Sequence, residues 1–215
     1  MSLLRRIAIL GGTGALGRGL ATRLSTSHEV LIGSRDTSKA EAAAKEVASR
    51  SGGRISGTSN IEAAHDCDIA ILAVPDLPSD SFLQEFGTTL DHKLVISPVV
   101  PMTVKEGVFT YSRPKGSAAE EIAAALKNSR VAAAFHTIPA GKLLDPTIKL
   151  EYDVLVATDI RLTYSEMVDL ISSVNGLRPI YVGPLSLARY IESLTPLLLN
   201  ISKRNGLKDP SFRLV

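Results

Sequence analysis

The apolar run Ile7–Leu10 is followed at once by Gly11 and then by Gly12-Thr13-Gly14-Ala15-Leu16-Gly17, a G-x-G-x-x-G spacing that opens a helical pattern. Glycines at these intervals have separate tasks. The first permits a tight turn, the second lets a pyrophosphate approach the backbone, and the third lets the helix pack on the strand. The start of that helix adds free N–H groups and a partial positive charge for phosphates. A second cluster closes the next apolar run: Gly33-Ser34-Arg35, with Lys39 one helical turn later. An acid at this place would bind both ribose hydroxyls of NAD, whereas a hydroxyl, a guanidinium and an ammonium suit a 2′-phosphate, which the guanidinium can hold bidentately. The two clusters together point to NADP(H) rather than NAD(H). The plainer reading of Arg35 and Lys39 is a solvated surface pair, with Asp36, the nearest acid, beginning the next helix.

Other chemistry is thinly represented. The histidines stand at 28, 65, 92 and 136, with no metal-ligand spacing, so no metal site is expected. His28, His65 and His92 lie in polar turn contexts and are expected to be exposed; His136 ends a buried strand and, on spacing alone, reads as structural. Tyr111-Ser-Arg-Pro-Lys115 matches the Y-x-x-x-K pair of short-chain dehydrogenases. That pair needs one face of a continuous helix, which Pro114 and Gly116 forbid, so residues 103 to 116 read as a loop. No nucleophile–base–acid set is visible, and no catalytic side chain is assigned. The lone Cys67, at the start of an apolar strand, reads as a small buried hydrophobe in a cytosolic protein.

The elements that must position these residues alternate. Strands are expected at Ile7–Leu10, Glu29–Ile32, near Ile55, at Asp68–Val74, at Leu94–Val100 (interrupted by Pro98), at Val131–Phe135, Val154–Ala157 and Pro179–Val182. Helices are expected at Leu16–Leu24, Thr37–Arg50, Asn60–Ala64, Ser117–Leu126, Ser165–Val174 and Leu187–Lys203, the last with a kink at Pro196. Ser117 with Glu120 reads as a capping box. Strands that are apolar throughout are buried on both faces, as in a parallel sheet covered by helices, and strict alternation implies right-handed βαβ units. The fold class is therefore α/β, a doubly wound, mainly parallel Rossmann-type sheet. The expected organisation is a dinucleotide-binding domain over 1–183 and a small C-terminal helical extension over 184–215.

Composition narrows the function classes. The 24 basic and 22 acidic residues among 215 are interspersed and leave a net charge of +2, which builds no one-sided basic surface for nucleic acid. The basic start, Met1 to Arg6, precedes an apolar core of four residues, too short for a signal peptide. No apolar run approaches the roughly 18 to 20 residues of a membrane span. The chain reads as soluble and cytoplasmic, with no membrane partner.

Three strand ends share one style, Val74-Pro75, Ser97-Pro-Val-Val-Pro101 and His136-Thr-Ile-Pro-Ala140, and would make an apolar crevice for a flat heterocycle. With Gly176-Leu-Arg-Pro179, Gly183-Pro-Leu-Ser186, Arg189, Glu192-Ser-Leu-Thr-Pro-Leu197 and Asn200-Ile201, the whole chain resembles the NADPH-dependent reductases of coenzyme F420. That resemblance implies reversible hydride transfer between NADP(H) and the deazaflavin coenzyme F420. It places the nicotinamide along Val74, Pro75, Met102 and Ala140, and the deazaflavin beside His136, Ile138 and Pro139, with polar contacts from Arg189, Ser193 and Thr195. Arg189 has a second reading, a surface pair with Glu192. Ala15 stands where relatives often carry Asn, and Asp76-Leu-Pro78 replaces a segment with an aromatic residue. Loop residues Arg113 and Lys115 could meet the anionic tail of the deazaflavin, or belong to an ordinary mobile loop. The rival functions are an NADPH-dependent flavin (FMN or FAD) or ferric reductase, a non-catalytic NADPH sensor, and an imine reductase. The apolar residues Leu194, Leu197, Leu198, Leu199 and Ile201 suit either core packing or a homodimer contact.

Overall fold

The computed structural model describes residues 4–113 and 115–215; the first three residues of the basic N-terminus and Pro114 lie outside them. In chain order the chain forms β1 (Arg6–Leu10), α1 (Ala15–Leu24), β2 (Glu29–Ser34), α2 (Thr37–Ser51), β3 (Arg54–Ser59), α3 (Asn60–His65), β4 (Ile69–Leu72), α4 (Asp80–Phe86) and β5 (Leu94–Ser97). A hairpin follows, β6 (Met102–Lys105) and β7 (Val108–Tyr111), then α5 (Ala118–Ala125), β8 (Arg130–Ala133), α6 (Ala140–Leu144), β9 (Tyr152–Ala157), α7 (Arg161–Ser172), β10 (Leu177–Gly183) and α8 (Ala188–Asn205).

Among the described residues, eight strands make one sheet in the order β3-β2-β1-β4-β5-β8-β9-β10. The first six run parallel; β9 meets β8 antiparallel and β10 runs parallel to β9. The period-2 geometry of a strand explains the two cores. Ile7 and Ile9 face α1, α2 and α7, while Ala8 and Leu10 face α3, α4, α5 and α8. Strands buried on both faces are thus the uninterrupted apolar runs seen in the sequence, and the fold class is the doubly wound one expected. Pro179 lies in β10, at the sheet edge, where a missing N–H is tolerated.

Several boundaries differ from the sequence expectation. Asp36 is the N-cap of α2 and does not begin it: its side chain accepts from the Ser38 and Lys39 N–H groups. Ser117 caps α5 by accepting from Glu120 N (3.1 Å), but only this half of the expected box forms; the complete box is Ser59 with Glu62 at α3. The segment 103–116, read as a loop, holds the β6–β7 hairpin. Its turn residues Glu106 and Gly107 have φ of 52° and 77°, the primed turn that suits hairpin twist. Glutamate is a poor marker for such a turn, and both strands are largely exposed, so neither turn chemistry nor burial pattern signals them. The hairpin lies on α8, where the Asn200 amide brackets Phe109 by accepting from its N–H (2.9 Å) and donating to its C=O (2.7 Å).

His28 corrects another expectation: it is buried (1 % exposed), not solvated. Its Nδ1 accepts from Arg5 N–H (3.4 Å) and its Nε2 meets Ser173 Oγ (3.1 Å), joining the start of β1 to the end of α7. Burial, aided by Arg5 and Arg54, holds its pKa below the ordinary histidine value. His65 and His92 are exposed as expected, and Cys67 is buried.

Candidate cofactor-binding cleft

A cleft of about 770 Å³ opens at the carboxyl ends of the strands, where the order reverses between β1 and β4. Doubly wound sheets bind ligands at this switch point. Of the expected site residues, Thr13, Gly14, Ala15, Leu16, Gly17, Ser34, Arg35, Val74, Pro75, Met102, His136, Ile138, Ala140 and Thr195 line it. Gly12, Lys39, Pro139, Arg189 and Ser193 are not in its lining.

The glycines differ in what demands them. A Cβ on Gly12 would stand 2.6 Å from Ile9 O, and one on Gly17 only 2.4 Å from Gly12 O, so the turn and the helix pack backbone to backbone. Gly14 has neither constraint. Its φ is −77°, and a Cβ there would meet nothing within 4 Å. The protein itself does not require a glycine at 14; the empty space is a cradle on the cleft wall. Gly14 is also the N-cap of α1, with no side-chain cap and no acid in the first turn. The first N–H groups of α1 therefore remain available to an anion.

At the end of β2, Ser34 is buried and its Oγ accepts from Asp36 N–H (3.1 Å), leaving the hydroxyl proton free to donate. The Asp36 carboxylate is engaged by Ser38 N–H (3.1 Å) and Ser38 Oγ–H (2.6 Å), and these bonds with that of Lys39 N–H hold it below the usual carboxylate range. It serves as the cap of α2. Arg35 is exposed on the cleft wall, while Lys39 turns toward Asp36 (3.7 Å) with its side chain 73 % exposed.

The other end of the cleft is mostly apolar: Val74, Pro75, Pro98, Val100, Met102, Ile138 and Ala140. Thr195 also lines this end, and His136 is its buried polar side chain. It is buried, neither ring nitrogen has a partner among the described residues, and burial pushes its pKa down to about 3. It is neutral at physiological pH, with an N–H available to a ligand. Phe135 before it has φ of 70° while only 2 % exposed. A bulky residue in this region carries strain of about 1–3 kcal/mol, a feature that clusters at functional sites. The left-handed step ends the strand direction of β8 just ahead of His136. Thr195 Oγ donates to His136 O (2.9 Å) and fixes α8 to this segment.

Arg189 and Ser193 have other partners. Arg189 stacks on the Tyr190 ring (4.6 Å) and donates to its hydroxyl (2.5 Å), while Ser193 Oγ donates to Tyr190 O (2.9 Å). The surface pair of Arg189 with Glu192 does not form, because Glu192 is fully buried elsewhere.

Sequence reasoning missed Gly11, Asn60, Phe82 and Phe135. Asn60 Oδ1 accepts from Gly11 N–H (3.0 Å) beneath the turn, and Gly33 is tight against it, since a Cβ there would lie 2.8 Å away. Phe82 of α4 lines the cleft and packs edge-on against Phe86 (5.1 Å between centroids). An aromatic ring therefore reaches the cleft although the Asp76-Leu-Pro78 segment has none.

A family model described as NADP oxidoreductase, coenzyme F420-dependent, matches residues 6–101. The F420-dependent NADP reductase of Methanothermobacter marburgensis is 39% identical over 218 residues, which span 97% of this chain and 97% of that one. The chain belongs to the F420-dependent NADP reductase family. The reductase of the same name from Methanocaldococcus jannaschii is 35% identical, again across 97% of both chains. An Arthrobacter structure provisionally named an F420 dependent NADP-reductase superposes with a TM-score of 0.84 at 23% identity, covering 98% of this chain and 99% of that one, and supports the fold alone. The matches to the two reductases thus extend over both the glycine turn and the strand-end segments that line the cleft.

Proposed function

We propose that the protein catalyses reversible hydride transfer between NADP(H) and the deazaflavin coenzyme F420, both bound in the one cleft. The observation that carries this reading is continuity: a single cleft runs from Gly14 and Arg35 at one end to His136 and Thr195 at the other. When bound, the two cofactors supply the chemistry, hydride passing between C4 of the nicotinamide and C5 of the deazaflavin.

The chain's residues bind, orient and exclude water. The open backbone at Gly14 and the uncapped start of α1 receive the pyrophosphate, and Ser34 with Arg35 receives the 2′-phosphate. Lys39 contributes from outside the cleft as a screened charge. Val74, Pro75, Met102 and Ala140 flank the nicotinamide; Ile138, Pro139 and Phe82 flank the deazaflavin. Hydroxyl protons of Thr195 and Ser193 are already donated to backbone carbonyls. That leaves the neutral imidazole of His136 as the donor best placed to meet charge developing on the second ring system. Arg189, whose Nε is buried without a partner among the described residues, and Ser193 lie outside the cleft lining and contribute polar contacts from α8 once the deazaflavin is bound. Hydride arriving at the deazaflavin would leave negative charge on its ring system, balanced by a proton from solvent, and no side chain is assigned as an acid or base.

Residues 1–183 act as the NADP-binding domain and 184–215 as the extension that completes the second cofactor's place. The protein works in the cytoplasm on small molecules, with no nucleic-acid partner. Exposed Val104 (58 %), Leu197 (53 %) and Ile201 (40 %) on the hairpin and α8 support a homodimer. Among the described residues no helix is long and apolar enough to cross a membrane. The test of direct transfer is 4-deuterated NADPH with oxidised coenzyme F420: deuterium must appear at C5 of the product by mass spectrometry, and its loss to solvent would refute the reading.

A further inference from the structure

The carboxylate of Glu192 has no part in the reaction just described, yet it is fully buried. Its Oε2 accepts from Tyr111 Oη (2.6 Å) and Ala118 N–H (3.0 Å), and its Oε1 from Ala119 N–H (3.1 Å). None of these partners is a cation. A carboxylate buried in this way is a costly means of holding two helices together, and well-packed apolar residues commonly do so as well or better. What the carboxylate adds is direction, because three donors from two elements must converge on it at fixed angles.

The elements it joins are those that build the far end of the cleft. Tyr111 is the last residue of β7 and stands opposite Met102 in the hairpin register. The ladder continues through Ser112 N–H to Pro101 O (3.0 Å). Glu192 lies one helical turn before Thr195 on α8, and Met102 and Thr195 both line the cleft. The tip of the hairpin is tied to α8 separately, by Asn200 at Phe109 and by Lys203 Nζ donating to Gly107 O (3.1 Å). The Tyr111–Glu192 bond therefore governs the base of the hairpin, next to the cleft, and not its attachment as a whole.

We propose that Tyr111 and Glu192 are positioning residues for hydride transfer, their hydrogen bond fixing the hairpin against α8 so that Met102 and Thr195 flank the reacting rings. This rests on the two-cofactor reading above. The tyrosine of the broken Y-x-x-x-K pattern thus has a use unrelated to the phenolate chemistry that pattern serves in short-chain dehydrogenases.

The test uses the full chain with Tyr111→Phe, which removes one oxygen, and Glu192→Gln, which keeps the side chain's size. The chain has three methionines, Met1, Met102 and Met167, so methyl-labelled methionine gives a readout without any cofactor. In Tyr111→Phe the Met102 methyl resonance shifts or broadens, while that of Met167, on the buried face of α7, stays in place. The dissociation constant for NADPH changes by less than about threefold, since the phosphate contacts are remote. Single-turnover hydride transfer to coenzyme F420 falls about ten- to a hundred-fold, as small misplacements of reacting groups do. The Tyr111→Phe/Glu192→Gln double variant is no slower than the worse single one, because the two act as a unit. Unchanged Met102 signals and transfer rates, with only a lower melting temperature, overturn the proposal, as do fully additive effects. A wild-type protein that reduces no deazaflavin refutes the two-cofactor reading, and the proposal with it; an active wild type with an equally fast variant refutes the proposal alone.

Discussion

Gly14→Ala separates the needs of the fold from those of the ligand. The new methyl group meets nothing within 4 Å, and φ of −77° is ordinary for alanine. Two small effects on stability oppose each other. Lost chain entropy in the unfolded state favours alanine by about 0.4–1 kcal/mol, while alanine is a worse N-cap than glycine by roughly 0.5–1 kcal/mol. The net change lies within about 1 kcal/mol, or within about 2–4 °C in Tm for a chain of this size. The same methyl group occupies the space where the pyrophosphate must approach the backbone. A displacement of the phosphates that weakens two charge-assisted hydrogen bonds costs about 1.5–3 kcal/mol, so NADPH binding weakens roughly ten- to a hundred-fold. Gly17→Ala behaves differently: its Cβ would lie 2.4 Å from Gly12 O and 2.5 Å from Gly12 Cα, with only backbone to move. Overpacking of that kind costs about 1–3 kcal/mol of stability. Thermal melts without ligand, paired with titration of NADPH fluorescence, measure both quantities. A Gly14→Ala variant that binds NADPH as tightly as the parent refutes the assignment of the cradle.

Three further outcomes follow from the geometry. Arg35→Ala weakens NADPH binding about ten- to a hundred-fold and leaves NADH binding nearly unchanged, because the lost contact is a charged hydrogen bond to the 2′-phosphate; Lys39→Ala, removing an exposed ammonium held by Asp36, costs less than about fivefold. Isothermal titration with both nucleotides checks the pair, and equal losses for NADH and NADPH count against it. His28 is held neutral in the fold, with a pKa below the unfolded value of 6.5, so its contribution to stability is complete above pH 6.5 and is lost as pH falls below it. Relative to His28→Gln, wild-type stability in urea falls more steeply as pH drops below 6.5, by no more than about 1.4 kcal/mol per pH unit; parallel profiles would show that His28 is free to protonate in the fold. Phe82→Ala raises KM for coenzyme F420 several-fold with KM for NADPH unchanged, since an aromatic contact carries about 0.5–1.5 kcal/mol beyond its buried area; the opposite split would place Phe82 at the nicotinamide.

What was legible in the sequence was what is locally encoded. The glycine turn, the start of α2 and the four-residue apolar strands each follow from neighbours a few positions apart, and each forms within a few residues of its expected place. The doubly wound, mainly parallel class followed from alternation and handedness. What escaped was set by partners far along the chain. His28 has the polar neighbours of a surface turn, but Ser173, 145 positions away, covers it. The hairpin has no buried face of its own and is held by Asn200, 91 positions from Phe109. Asn60 looked like an ordinary helix start, and only the packing of α3 beneath β1 and β2 brings its amide to Gly11. Glu192 is the sharpest case. At helical spacing from Arg189 it suggested a surface ion pair, and its burial follows from the docking of α5, whose N–H groups it accepts, and of the hairpin.

The central claim is one cleft for NADP(H) and a deazaflavin, and absorbance tests it most directly. Oxidised coenzyme F420 is mixed with the protein and NADPH, and loss of the deazaflavin's visible band is followed, with NADH and FMN substituted in parallel. The account predicts bleaching with NADPH, far slower bleaching with NADH, and no matching reduction of FMN. An unbleached deazaflavin in the presence of saturating NADPH, or faster reduction of FMN, would contradict it.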